Sequence, residues 1–417
     1  MKIAMDKLCI VFANAFDIIE EEQLGASEYH SMRVAALCAG LGRRLGFDDD
    51  AVTGMSVCGM FHDNALTEYH LSMVEGEQRH RNMILHCEKG QSNVSWLPFR
   101  KSIDGFILYH HECGTGEGPF GKREGETPFE AEIIAAADAI DATHKLQQIP
   151  SEKLQDLKDR IWIRAKAYST TSAVSNLLQM LDADFLESLR DENIAQTLDV
   201  ILPHWEMDVA DPGVIRASGF ISRVIDYKSH FTQKHTSQIA NRAWIMAESY
   251  KYSYEDKAAL FLAASLHDIG KIGTPVGILE KPGQLDDDEF EIIKMHVQYS
   301  RDYLTNMPNF ALITNWAADH HEKLDGSGYP LGKSASELDF NSRLIACLDI
   351  YQAVSEPRPY HGARTHKETM EILNSMASRG FIDAGIVGDV DEVMAKYSTK
   401  DVPSPISSGT ADKSERR

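Results

Sequence analysis

The sequence predicts an all-α protein made of two copies of one helical domain. Three observations predict it. Apolar residues recur at helical spacing along most of the chain and almost nowhere alternate as a strand would. The 417 residues are enough for two domains, at roughly 100–200 residues each. One ordered set of histidines and aspartates also occurs twice, at nearly the same intervals.

The first element is a helix. Leu8, Val11, Phe12, Ala15, Ile18 and Ile19 fall on one apolar stripe, which reads as core packing, with a dimer interface as the alternative. The first copy follows within 1–205 and carries His30, His62-Asp63, His86, His110-His111 and Asp138. Helical patterning then continues from Ser151 to Leu202 through Leu154, Leu157, Ile161, Leu177, Leu178, Leu181 and Leu186. Pro203, Pro212 and Gly213 bracket a break in that pattern, and the domain boundary is placed there. The second copy occupies 214–400 and carries His235, His267-Asp268, His296, His320-His321 and Asp349. Residues 401–417 are too polar to pack and are expected to form a disordered tail.

The intervals argue for duplication. The chain holds only two His-Asp and only two His-His dipeptides. His30 precedes His62 by 32 residues, as His235 precedes His267. His86 precedes His110 by 24, as His296 precedes His320, and His111 to Asp138 is 27 against 28 for His321 to Asp349. Ten of the 17 histidines belong to these two sets.

Composition narrows the partners. Lys plus Arg is 42 and Asp plus Glu is 63, a formal charge of −21 that repels polyanions. General binding to DNA, RNA or an anionic bilayer is excluded on that ground, whereas a small phosphorylated ligand in a local metal pocket is not. The six cysteines form no CxxC pair and read as free thiols of a reducing compartment. Asp6, Lys7 and Asp17 interrupt any signal-type stretch, and no apolar run approaches a membrane span, so a cytoplasmic protein is expected.

Five imidazoles and two carboxylates per copy form a mixed nitrogen and oxygen donor set. Such a set suits Fe, Mn, Co, Ni or Zn, whereas Mg and Ca prefer oxygen alone. Seven side chains exceed one tetrahedral site and match two metals bridged by a carboxylate. Metal is therefore expected in both copies.

The second copy carries more than ligands. It reads His267-Asp268-Ile269-Gly270-Lys271, then His320-His321-Glu322-Lys323-Leu324-Asp325-Gly326-Ser327-Gly328-Tyr329-Pro330, and later Arg358-Pro359-Tyr360. Over roughly 215–400 this resembles the HD-GYP family, a branch of the HD phosphohydrolase superfamily. The resemblance implies an all-helical, metal-dependent phosphodiesterase that linearises cyclic di-GMP or 3′,3′-cyclic GMP–AMP to a 5′-phosphorylated dinucleotide. It implies two transition-metal ions, iron or manganese foremost. One would be held by His235, His267, Asp268 and Asp349, the other by Asp268, His296, His320 and His321. A third metal is not expected, because Phe231 stands where some members place a glutamate. Asp268 and Lys271 are the expected catalytic residues, Lys271 meeting charge on the phosphate from a turn after His267. Lys271, Asp325, Gly328, Tyr329, Pro330 and Arg358 are the expected substrate contacts, with Tyr329 stacking a base and Arg358 on the second phosphate.

The first copy keeps His30, His62, Asp63, His86, His110, His111 and Asp138 but departs where substrate would be read. Leu66 aligns with Lys271, Gly116-Glu117-Gly118-Pro119-Phe120 with Gly326 to Pro330, and Gln147 with Arg358. It resembles the HD superfamily broadly, and 5′-nucleotidase action on the linear product is one reading of it. A structural or regulatory domain is the other. For the whole chain the alternative to an enzyme is a metal-bound cyclic-dinucleotide receptor signalling through a protein partner, and a homodimer is a further expectation. A generic HD nucleotidase is the third reading, which the GYP block opposes for the second copy.

Overall fold

The computed structural model describes residues 1–66, 75–228, 234–281, 283–356, 362–397 and 402–406. Among them regular structure is helical apart from a two-stranded sheet of Lys2–Ala4 and Glu206–Asp208. None of the described helices is long and apolar enough to cross a membrane. The chain divides into two compact units, Ala4–Glu206 and Met207–Arg417 together with Met1–Ile3. The first three residues, read from sequence as part of the N-terminal domain, thus group with the C-terminal unit. Their backbone explains it: Met1 O accepts from Val209 N at 2.9 Å, and the Met1 ammonium pairs with Glu255.

The N-terminal unit is built on the helices Met5–Leu24, His30–Arg44, Asp49–Met60, Gly76–Val94 and Phe129–His144. His30–Arg44 is buried along nearly its whole length and packs on Asp49–Met60, Phe129–His144 and Met5–Leu24. Within Met5–Leu24, Leu8, Phe12, Ala15 and Ile19 are buried, which places the apolar stripe in the core. Of the later leucines and isoleucines, Leu157, Ile161, Leu177, Leu181 and Leu186 are buried as well.

The C-terminal unit repeats the plan with Pro212–Tyr227, His235–Ser249, Tyr254–Leu266, Asp287–Thr305, Ala311–Ala318 and Phe340–Ser355. Its helix starts are written into the sequence. Ser253 accepts from Asp256 N at 3.1 Å, Asp339 from Ser342 N at 2.8 Å, and Asp286 with Glu289 forms a reciprocal capping box. Each such cap contributes about 1 kcal/mol. The helices His366–Ser378 and Ala384–Met394 then pack against Phe340–Ser355. Past residue 401 the expected disorder does not begin at once. Val402 is buried and donates its N–H to Gln238 Oε1 at 3.0 Å, while 407–417 lie outside the described residues.

Candidate metal centres

The ligand geometry begins at helix ends. His267 is the C-cap of Tyr254–Leu266, and its Nδ1 donates to Ala264 O at 2.7 Å. His62 Nδ1 donates to Gly59 O at 2.9 Å, and His320 Nδ1 to Ala317 O at 2.7 Å. Each thereby satisfies one of the carbonyls that a helix leaves unpaired at its end. A carbonyl can only accept, so the proton must sit on Nδ1 and the lone pair on Nε2. Each imidazole therefore presents Nε2 to the cluster in the tautomer that binds metal.

In the C-terminal unit the two oxygens of Asp268 face different histidines. Oδ2 lies 3.1 Å from His267 Nε2 and 3.8 Å from His235 Nε2. Oδ1 lies 3.5 Å from His296 Nε2 and 3.9 Å from His320 Nε2. Asp349 reaches His235 Nε2 at 3.1 Å and His321 Nδ1 at 4.0 Å. The N-terminal unit repeats this. Asp63 Oδ2 faces His62 at 3.7 Å, and Oδ1 faces His86 at 3.0 Å, His110 at 3.5 Å and His111 at 4.0 Å. Asp138 Oδ1 lies 3.2 Å from His30 Nε2 and 3.7 Å from His62 Nε2. Donors held ~2.1 Å from one ion stand roughly 3–3.5 Å from each other, close to these separations. All fourteen sequence-predicted ligands are thus brought together, seven in each unit.

The donor sets fit metal on a second count. The Nε2 atoms of His62, His110, His111 and His267, both ring nitrogens of His86, and Oδ1 of Asp63 and of Asp268 are buried without an aligned hydrogen-bond partner. Each such orphan costs about 1–3 kcal/mol unless something ligates it. Within each unit the orphaned Nε2 and Oδ1 atoms gather in one cluster, where they fit dications.

Electrostatics agree. Burial lowers His296 to about 3 against the pull of Asp268, and burial likewise lowers His320 and His321, which keeps these imidazoles neutral. Burial alone would raise Asp268, yet His267 and Lys271 beside it hold its carboxyl well below the usual range. For His235 burial is outweighed by Asp349 and Glu356, which raise it to about 9. The His321 and His111 side chains are 29% and 23% exposed while the other histidines of their clusters are closed off, so each cluster opens to solvent on that side.

The residues expected to read substrate fall differently. Lys271 sits on the short helix Ile269–Gly273 and places its ammonium 2.5 Å from Asp268 Oδ2. Tyr329, expected to stack a base, stacks on His321 at 4.9 Å between ring centroids, with Lys294 Nζ 5.7 Å from its ring. Asp325 does not reach the cluster; its Oδ1 accepts from Ser327 N and Oγ, which closes the turn. Gly328 makes a close approach, but to its own chain. A Cβ there would lie 2.5 Å from Glu322 Cα, as one on Gly118 would lie 2.8 Å from Glu112 Cα. The Tyr329-Pro330 bond is cis. Arg358, with Pro359 and Tyr360, and Phe231 lie outside the described residues.

The alignment of the two loops also shifts by one residue. Glu112 accepts from Phe120 N and Lys122 N, and Glu322 accepts from Leu331 N and Lys333 N. Phe120 therefore corresponds to Leu331, not to Pro330. The C-terminal loop has gained one residue after Gly328, which accounts for the interval of 28 against 27.

Sequence reasoning missed several residues. Glu112 and Glu322 anchor the loops, and the repeated His-His-Glu triplet was their signal. Asp141 accepts from His30 Nδ1 at 2.7 Å and from the buried Arg33 Nε at 3.0 Å. In the other unit those tasks are divided. Glu356 takes His235 Nδ1 at 3.1 Å and Gln352 takes Arg242 Nε at 2.7 Å. The spacing of Asp138 to Asp141, one helical turn, was the available signal.

Two family models match the chain, both described as HD domain, over residues 28–143 and 219–386. Those ranges contain every ligand named above. The chain is 26% identical over 370 residues to 3′3′-cGAMP-specific phosphodiesterase 1 of Vibrio cholerae, covering 86% of this chain and 85% of that protein. It is 30% identical over 294 residues to 3′3′-cGAMP-specific phosphodiesterase 3 of the same organism, covering 69% of this chain and 62% of that one. A cyclic di-GMP phosphodiesterase of Thermotoga maritima is 34% identical over 161 residues, 38% of this chain and 44% of that protein. Among solved structures, a cyclic GMP–AMP specific phosphodiesterase of V. cholerae superposes with a TM-score of 0.65 at 20% identity, over 95% of this chain and 98% of that one.

Proposed function

The chain belongs to the HD domain family, with one such domain in each half, and from that premise we propose that its C-terminal site hydrolyses a cyclic dinucleotide. The substrate is cyclic di-GMP or 3′,3′-cyclic GMP–AMP, the compounds for which the relatives are named. One observation supports this above others: Asp268 stands between two histidine groups with the Lys271 ammonium beside it. Bound there, two dications supply an activated water and offset charge on the phosphoryl oxygens. His235, His267, Asp268 and Asp349 would hold one and Asp268, His296, His320 and His321 the other.

The chain's own residues do the rest. Lys271, released from Asp268, meets the charge that develops on the 3′ oxygen as the P–O3′ bond breaks, and can return a proton to it. Water oxygen remains on phosphorus, so the product is linear and keeps a 5′ phosphate. Tyr329 fixes the His321 ring from the open side of the cluster. Replacing His267 and Asp268 by Ala in the full chain is expected to remove metal and abolish linearisation of both compounds, with products identified by mass. Activity above about a tenth of wild type, a loss of only ~1.4 kcal/mol in barrier, contradicts the assignment. Binding without any linear product across several metals would favour a receptor.

A second reading concerns the N-terminal site, where a cleft of about 370 Å³ opens at His111 between Arg79, His80, Glu117 and Pro119. Leu66 is buried where the other copy has Lys271, so the ring-opening cation is missing. Hydrolysis of a terminal phosphate monoester needs no such lysine. The 5′ phosphate of the linear product is a substrate of that class, and the two sites would act in sequence. In a full-length His62→Ala, Asp63→Ala double variant, phosphate release from the linear dinucleotide should vanish; unchanged release would sink the sequence.

A further inference from the structure

The N-terminal cluster contains one carboxylate that its C-terminal counterpart does not match. Glu20, on the helix Met5–Leu24, is 0% exposed, and neither of its oxygens has a hydrogen-bond partner. One of them lies within 4.8 Å of the ligand atoms of His62 and Asp63. Asp17, His30, Asp63 and Asp138 surround it, so three further carboxylates share the space.

The two copies can be brought into register at this helix. Asp17 accepts from Ser31 N at 2.7 Å and Asp226 from Thr236 N at 2.8 Å, in each case the residue after the first histidine of the set. Three residues after Asp17 is Glu20; three after Asp226 is Ser229, outside the described residues and not a carboxylate. Beside the aspartate of its His-Asp pair the C-terminal copy has the Lys271 ammonium, whereas the N-terminal copy has the buried Leu66 at that position in the sequence. Among the described residues the N-terminal pocket therefore holds one carboxylate more and one ammonium fewer than its twin.

We propose that Glu20 is a metal ligand of the N-terminal site, adding a carboxylate to the ion at His62 and Asp63. This rests on the reading that the N-terminal cluster binds metal. A buried carboxylate without a hydrogen bond, crowded by others of like charge, is tolerated where a cation shares its charge. Glu20 then raises the donors around that ion to five: His30, His62, Asp63, Asp138 and Glu20. The equivalent C-terminal ion has four, His235, His267, Asp268 and Asp349. Five donors, three of them carboxylate, suit a six-coordinate ion such as manganese over a tetrahedral zinc, and leave a single position open.

The test uses the full chain carrying His267→Ala and Asp268→Ala, which confines bound metal to the N-terminal site. Manganese binding is measured by equilibrium dialysis and by the loss of the free-ion spin-resonance signal, with and without Glu20→Gln. The expected result is a weakening of at least tenfold, with a metal-free melting temperature equal to or above that of the parent and a smaller rise on adding manganese. Glu20→Leu serves if the glutamine variant folds poorly, because an apolar side chain of similar size suits a buried position. Manganese affinity within twofold of the parent in either variant would overturn the role of Glu20 alone. If the parent binds no manganese, and His62→Ala therefore changes nothing, the metal reading of the whole cluster falls and the proposal with it.

Discussion

His235 is the side chain at which the proposed metal binding would couple to protons. Asp349 and Glu356 hold it protonated up to about 9 in the metal-free chain. That proton must leave before Nε2 can bind a metal, so affinity should rise with pH until about 9, and binding below that should release a proton. Calorimetry at pH 7.5 in buffers of different ionisation enthalpy measures the release. Glu356→Gln removes one of the two anions that raise His235, so fewer protons should be released; an unchanged number would show that Asp349 alone sets its state. Lys271 is the other informative residue. Its replacement by Ala should lower kcat for ring opening by about 10²-fold, with metal content unchanged because Lys271 is not a ligand. Steady-state kinetics beside metal analysis separate the two, and an undiminished kcat would leave Lys271 a mere partner of Asp268.

At the scale of elements, the site depends on one crossing. The turn after His267 packs on the helix Asp287–Thr305, which carries His296. Gly270 permits it: a Cβ there would fall 1.9 Å from His296 O and 2.7 Å from Ser300 N. Both obstacles are backbone, which cannot rotate away. Ser300 Oγ ties the crossing further, donating to His267 O and accepting from Gly270 N, each at 2.9 Å. Gly270→Ala should therefore push the helix off, lowering stability by about 1–3 kcal/mol and emptying the metal position of His296, His320 and His321 first. Denaturant unfolding and metal counting read the two effects. A variant with full metal content would show that the helix can slide. In the N-terminal unit Gly90, four residues after His86 as Ser300 is after His296, meets the turn: a Cβ there would stand 3.0 Å from Ile107 Cγ2, and Asn64 Nδ2 donates to its carbonyl at 3.1 Å.

Over the whole molecule, the two histidine–aspartate clusters belong to separate compact units, and among the described residues each candidate group draws its members from one unit. Their losses should therefore be independent. The His62→Ala, Asp63→Ala variant should lose N-terminal metal and keep linearisation within about twofold, since sites that share no residue add without coupling. Metal analysis with a mass-resolved assay checks this, and a collapse of ring opening would reveal communication between the units. The charge of −21 adds a constraint. On the proposed function an anionic dinucleotide would approach against the field of the protein, and Lys271 beside Asp268 and Lys294 beside Tyr329 are the cations that would offset it.

Fold class, duplication and the fourteen residues that gather in the two clusters were all legible along the chain. The reason is that helices and metal sites impose spacing: a ligand at a helix end must recur at the same interval if the helices are the same length. The HD-GYP block and the absent lysine at Leu66 were legible for the same reason, as residues at fixed distances from ligands. Contacts with no sequence period were fixed by packing alone. Glu20 stands ten residues before His30, on the helix whose apolar stripe was read as core packing, and only packing brings it to His62 and Asp63. The turn role of Asp325, the stacking of Tyr329 on His321 and the docking of Val402 on Gln238 likewise depend on which surfaces meet. A residue's chemistry is local and can be read along the chain. Its partner is fixed by how the helices pack, and burial then sets the strength of their interaction.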